Sequence, residues 1–207
     1  GSITMNKRTE LPTAENSSNF NRVAGATCQV GTTLENLKAA VCGETGASAK
    51  YAACAKLAKE KGYEQLGRLW EATSAAEQVH IRLEAGLVEE LEPGYERPTA
   101  DAPELEEIDL NLIASANGEI FETSDMYPGF IAKAQEEGND KAVQVFTKAK
   151  LAEAVHAELY LQAYNNIDAA DDDSYFLCPG CGYIEKGSAA PEKCPICGAP
   201  AKVFKQF

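Results

Sequence analysis

From Thr32 onward, apolar side chains recur every three or four positions through four long stretches, the spacing of amphipathic helices. Each stretch is bounded by residues that start or stop a helix. Thr32-Thr33-Leu34-Glu35 reads as a capping box and opens a helix to about Lys61, just before Gly62. A second helix is expected from about Tyr63 to Leu91, ending at Glu92-Pro93-Gly94. Pro93 to Pro103 lacks periodicity and has the length needed to cross from one end of a bundle to the other. A third helix is expected from near Glu104, bent or interrupted at Met126-Tyr127-Pro128 and closed by Gly138. Asn139 or Asp140 caps a fourth, running to about Asn166.

The flanks carry different patterns. Residues 1 to 31 are polar and aperiodic and read as an extension; Gly1-Ser2 looks like an expression remnant, with Met5 nearer a native start. Asp168 to Ser174 is an acidic break, and beyond it Tyr175 to Phe207 holds aromatics and short β-type runs. The expected organisation is therefore an extension (1–31), an all-α four-helix bundle (32–167), an acidic linker (168–174) and a small β module (175–207).

Charge narrows the function. A formal net charge of −13 over 207 residues argues against sequence-independent binding to nucleic acid or to anionic membranes. No run of about 18 apolar residues is present, nor an apolar secretory leader, so a cytoplasmic protein is expected. Of seven cysteines, four form two C-x-x-C pairs, which reads as metal ligation in a reducing compartment rather than a disulfide framework. Cys28 reads as incidental, Cys42 and Cys54 as small core fillers.

The chain has two histidines, and each follows a glutamate by one helical turn: Glu77/His80 and Glu153/His156. Glu44, on the first helix, is flanked by Gly43 and Gly46, which are expected where something approaches the backbone closely. The third helix adds Glu119 and Glu122. One Glu from each of two helices with Glu-x-x-His from the other two is the ligand set of ferritin-like di-iron or di-manganese bundles. Bridging carboxylates with imidazole caps suit such a pair and one oxygen substrate. Five glutamates leave a charge of about −1 against two Fe(II), and again about −1 against two Fe(III) with one oxide. On that count one iron is expected to use Glu122 when ferric and His80 when ferrous. Tyr51, seven residues after Glu44, and Tyr127 are candidate catalytic hydrogen-bond donors to an oxygen species.

Cys178-Pro179-Gly180-Cys181-Gly182 and Cys194-Pro195-Ile196-Cys197-Gly198 are matching knuckles that fix one tetrahedral metal, iron or zinc. The twelve-residue loop between them and the neighbouring redox-capable site favour iron. The module carries +2, which leaves −15 on the rest of the chain and favours docking of module on bundle, within or between subunits.

Together with Cys42-Gly43-Glu44, Ser115-Ala116-Asn117-Gly118-Glu119-Ile120-Phe121-Glu122 and Met126-Tyr127-Pro128, these motifs make the chain from about Leu34 resemble a rubrerythrin. The resemblance implies a ferritin-like di-iron bundle with a C-terminal rubredoxin-like Fe(Cys)4 domain, and reduction of hydrogen peroxide to water. It also implies electrons from rubredoxin or an NAD(P)H-dependent reductase, and a head-to-tail homodimer or larger assembly in which one subunit's rubredoxin centre serves the other's di-iron site. The exchange of Glu122 for His80 is likewise a trait of the family. Ferroxidase, oxygen-reducing or iron-storage activity is the alternative. Two departures stand out: Ile120-Phe121 replaces a polar pair, which bears on proton supply, and the N-terminal arm is long.

Overall fold

The computed structural model describes residues 26–207. Most of the extension, including Gly1-Ser2 and Met5, lies outside them. Five α-helices come first: α1 (Thr33–Glu60), α2 (Glu64–Leu91), α3 (Ile108–Phe121), α4 (Tyr127–Glu136) and α5 (Asp140–Asn165). A π-helical turn, Glu122–Met126, joins α3 to α4, so the two act as one interrupted helix of a four-helix bundle. The capping box at Thr32 forms as expected, with Glu35 N donating to Thr32 and the Glu35 carboxylate accepting from Thr32 N. Asn139 caps α5 by accepting from Ala142 N.

The third helix begins at Ile108, not near Glu104. The Asn111 amide pairs with both backbone groups of Glu106, holding the preceding residues off the helical path until Glu107, whose backbone is extended. Asn36 treats Gly31 in the same way ahead of α1, so the two halves of the bundle open alike.

α1 packs chiefly on α2, and the interrupted helix on α5. One apolar cluster gathers around Tyr51, Trp70, Leu112 and Tyr160, another around Tyr127, Phe130, Ile131 and Phe146. Fully buried alanines on α2 and α5 (Ala72, Ala76, Ala152, Ala154, Ala157) fill little volume, which lets the backbones come close. Two sequence expectations fail on α1. Cys42 is exposed, because its position faces away from both clusters, whereas Cys54 is buried. Gly43 and Gly46 have open space where a Cβ would stand, so nothing among the described residues approaches them there.

The C-terminal module is a three-stranded antiparallel sheet in the order β2-β1-β3, from β1 (Ser174–Leu177), β2 (Ile184–Gly187) and β3 (Lys205–Gln206). It lies against α2 and α5 of its own bundle. Lys186 Nζ reaches Asp171 at 2.6 Å and Asp173 at 2.7 Å, and Gln65 on α2 donates to Asp171 at 2.6 Å, tying module, linker and bundle together. Among the described residues no helix is long and apolar enough to cross a membrane.

Candidate metal centres

Four helices deliver buried carboxylates to one plane between the two apolar clusters. Helical spacing puts Glu77 and His80 on one face of α2 and Glu153 and His156 on one face of α5. The ligand atoms fall into two groups, each within 4.8 Å: Glu44, Glu77, His80 and Glu153, then Glu77, Glu119, Glu153 and His156. Glu77 and Glu153 belong to both. Two ions sharing two carboxylates is the arrangement such overlap accommodates.

The histidines are oriented from the far side. His80 Nε2 lies 2.8 Å from the carbonyl of Cys181, and His156 Nε2 lies 2.7 Å from that of Gly182. A carbonyl only accepts, so each Nε2 carries the hydrogen. In a neutral ring Nδ1 then presents its lone pair inward. His80 Nδ1 stands 2.8 Å from Glu153 and 3.3 Å from Glu77; His156 Nδ1 is 3.7–3.9 Å from Glu77, Glu119 and Glu153. Burial disfavours charge on His80, yet the Glu153 and Glu44 carboxylates outweigh it and push its pKa well above the ordinary value.

This donor set fits a pair of cations. Glu44 Oε2, Glu77 Oε1, Glu119 Oε2, Glu153 Oε2 and His156 Nδ1 are buried with no hydrogen-bond partner among the described residues. Buried carboxylate oxygens left in that state cost several kcal/mol apiece unless a positive charge answers them. Hard oxygen donors with imidazole suit iron or manganese.

Glu122 is the one sequence candidate on the bundle that neither group includes. It sits at the start of the π turn, where burial and the Glu44 carboxylate push its pKa well up. His80 is grouped with Glu44, Glu77 and Glu153. Tyr51 and Tyr127 both donate to carboxylates: Tyr51 to Glu119 at 2.8 Å, Tyr127 to Glu44 at 2.7 Å. The π turn explains the second. Eight regular helical residues from Glu119 would leave Tyr127 about 80° off its face, and the wider turn takes up that excess.

Sequence reasoning missed two groups. Glu84, fully buried on α2, lies 2.8 Å from the Tyr127 hydroxyl, and its seven-residue spacing from Glu77 was the available signal. Arg82 donates to the carbonyl of Pro179 at 2.7 Å, beside the two histidine contacts. Nothing in the local pattern marks it.

The second centre gathers Cys178, Cys181, Cys194 and Cys197. Sulfur pairs Cys178/Cys197 and Cys181/Cys194 stand 3.4 and 3.5 Å apart, near the spacing of about 3.8 Å that a tetrahedron of metal–sulfur bonds requires. Gly182 and Gly198 follow the second cysteine of each knuckle at φ +86° and +78°, and each donates back to the carbonyl of the first. Hydrogen bonds from the neighbouring Cys178 and Cys181 groups pull the Cys194 thiol well below its ordinary value, the direction that favours a metal-binding thiolate.

The rubrerythrin family model matches residues 35–164, and that of the rubrerythrin rubredoxin-like domain matches residues 176–205. Nigerythrin of Nitratidesulfovibrio vulgaris is 64% identical over 203 residues, 98% of this chain and 100% of that protein. Rubrerythrin of the same organism is 32% identical over 180 residues, covering 84% of this chain and 93% of its own length. A structure of nigerythrin in its fully reduced, all-ferrous state shares the fold with a TM-score of 0.89, at 64% identity over 98% of this chain and 100% of that one.

Proposed function

This chain belongs to the rubrerythrin family, and we propose that it is a peroxidase that reduces hydrogen peroxide to water at a di-iron centre. The observation that carries the reading is the contact of both metal-facing histidines with the cysteine knuckle, 2.8 Å at Cys181 and 2.7 Å at Gly182. It joins a one-electron site to a two-metal site through two hydrogen bonds. Storage of metal alone gives no reason for that junction.

Glu44, Glu77, His80 and Glu153 would hold one iron, and Glu77, Glu119, Glu153 and His156 the other. Iron there supplies Lewis acidity and two electrons for the O–O bond. Cys178, Cys181, Cys194 and Cys197 would hold the iron that passes electrons on, received from rubredoxin or an NAD(P)H-dependent reductase. Tyr51 and Tyr127 keep their carboxylates aimed by donating to one oxygen of each, leaving the other oxygen for metal. The two apolar clusters above and below keep bulk water from the site. The bundle (32–167) would carry the di-iron site and the module (175–207) the cysteine iron, and the family resemblance favours a head-to-tail homodimer.

Protein purified without oxygen is expected to show a red, dithionite-bleachable spectrum; a colourless protein means zinc on the cysteines and breaks the electron route. In anaerobic stopped flow, the reduced protein is expected to be oxidised far faster by peroxide than by dioxygen. The reverse order, or catalytic iron uptake with mineral growth, would replace the peroxidase reading with ferroxidase or storage.

A further inference from the structure

The π turn Glu122–Met126 sets where Tyr127 stands, and three of its side chains tie it down. Thr123 donates to the Lys150 carbonyl on α5 at 2.9 Å, and Ser124 donates back to the Ile120 carbonyl. Asp125, only 6% exposed, reaches instead to the segment ahead of α1. Its Oδ2 accepts from Thr27 N at 2.6 Å and from the Thr27 hydroxyl at 3.2 Å, and its Oδ1 accepts from Cys28 N at 3.2 Å. A carboxylate gathering backbone N–H groups makes bonds about twice as strong as neutral ones. Near-burial keeps water from competing for them.

The same segment is fastened at its other end. Thr33 donates to Glu137 Oε2 through its amide at 2.8 Å and through its hydroxyl at 2.9 Å. Asp125 and Glu137 bracket α4, so residues 27–33 run beside that helix from one end to the other. Extended, they reach about 20 Å, and the helical path from Asp125 to Glu137 covers about 18 Å. Little slack is left. Cys28 packs on the cluster of Tyr127, Phe130 and Phe146, which keeps the segment against the helix. Tyr127 lies two residues past Asp125 and donates to Glu44. A regular helix in place of the π turn would carry it about 80° away, so what pins the end of the turn also aims the phenol.

We propose that residues 27–33 form a strap along α4, and that Asp125 is the positioning residue through which the strap keeps Tyr127 on Glu44 and so supports one ion of the pair. Asp125 belongs to neither metal group; it acts through the backbone of the turn and the phenol. Glu44 belongs only to the group containing His80, so the strap serves that ion. The ion of Glu119 and His156 is left to Tyr51. The part of the N-terminal arm next to α1 thereby becomes scaffold for the site. The role rests on the ligand groups assigned above and not on the peroxidase reading, and it involves no transfer of a proton or an electron.

Chelator competition that resolves the two ions tests it on the full-length, iron-loaded protein. Asp125→Ala and Thr27→Pro break the same contact from opposite sides. Each is expected to weaken the ion at Glu44 and His80 by about tenfold and the other ion by less than about twofold. Asp125→Asn keeps an acceptor oxygen and is expected to restore binding to within about threefold of wild type. Adding Asp125→Ala to Tyr127→Phe is expected to have no further effect, as for residues acting through one contact. A merely structural role would weaken both ions alike and add to the effect of Tyr127→Phe. Either result, or wild-type affinity in Asp125→Ala, would overturn the proposal. Hydrogen exchange followed by mass spectrometry tests the strap independently of ion affinity. Residues 122–131 are expected to exchange about tenfold faster in Asp125→Ala and Thr27→Pro, with α2 unchanged. Wild type that binds no ion at Glu44 and His80 would overturn the ligand groups, whereas exchange equal to wild type in both variants would overturn the strap.

Discussion

His80 Nε2 donates to the backbone carbonyl of Cys181, across 2.8 Å and 101 positions of chain. A metal-facing imidazole is thereby bonded directly to a residue whose sulfur belongs to the second centre. The contact fixes the His80 tautomer, and it gives the shortest covalent-plus-hydrogen-bond connection between the sites. His156 repeats it on Gly182, and Arg82 braces the same knuckle at Pro179. Three carbonyls of the knuckle, those of Pro179, Cys181 and Gly182, thus seat it on the bundle.

Gly182 is what permits that seat. A Cβ there would stand 2.6 Å from His80 Nε2, and its φ of +86° already disfavours any other residue. Gly198 has φ +78° with open space around it, so Gly198→Ala carries the backbone cost without the collision. Gly182→Ala is expected to slow electron transfer from the cysteine site to the di-metal site by about tenfold or more, as small misplacements do. Gly198→Ala is expected to leave it near wild type. Stopped-flow reoxidation followed at the cysteine-site absorbance gives both rates.

Tyr51 makes a different demand. Its hydroxyl donates to buried Glu119 at 2.8 Å, and Glu119 belongs to the group containing His156. Tyr51→Phe removes the donor and leaves a buried acceptor unsatisfied, a cost of about 1–3 kcal/mol. We expect the ion held by Glu119 and His156 to bind about 10–100-fold more weakly, with a smaller effect on its neighbour. Chelator competition, resolving the two ions, measures the difference.

Much of this site was legible in the sequence because its ligands obey helical spacing. Glu77/His80 and Glu153/His156 are each one turn apart, and the knuckles are contiguous. What escaped depends on tertiary geometry. Glu84 shares a helical face with Glu77, but the contact that sets it apart comes from Tyr127, which reaches it through a π turn that no periodicity announces. Arg82 acts on a carbonyl 97 residues away. The late start of α3 depends on Asn111 bonding backward to Glu106, a side-chain competition invisible to pattern alone.

The cysteines outside the knuckles separate by burial. Cys42 is exposed on α1, while Cys54 is 1% exposed and burial raises its thiol to about 11. Alkylation of the native metal-loaded protein at neutral pH is expected to modify Cys42 rapidly and Cys54 only on unfolding, because the thiolate is the nucleophile. Peptide mass mapping over time distinguishes them.

The linker clamp has a pH dependence whose sign follows from Asp171. Hydrogen bonds from Lys186, then Gln65, hold its carboxyl at about 2, below the ordinary 3.8. A depressed folded-state pKa contributes stability that is present above about pH 4 and lost as pH falls toward 2. Asp171→Asn removes the charge opposite Lys186 at every pH. It is expected to speed proteolysis within residues 166–173 near neutrality, where the wild type is clamped. With pepsin in acid, the two proteins are expected to converge as pH approaches 2. A wild type cleaved as fast as Asp171→Asn at pH 6 would show that the Lys186 contact does not restrain the linker.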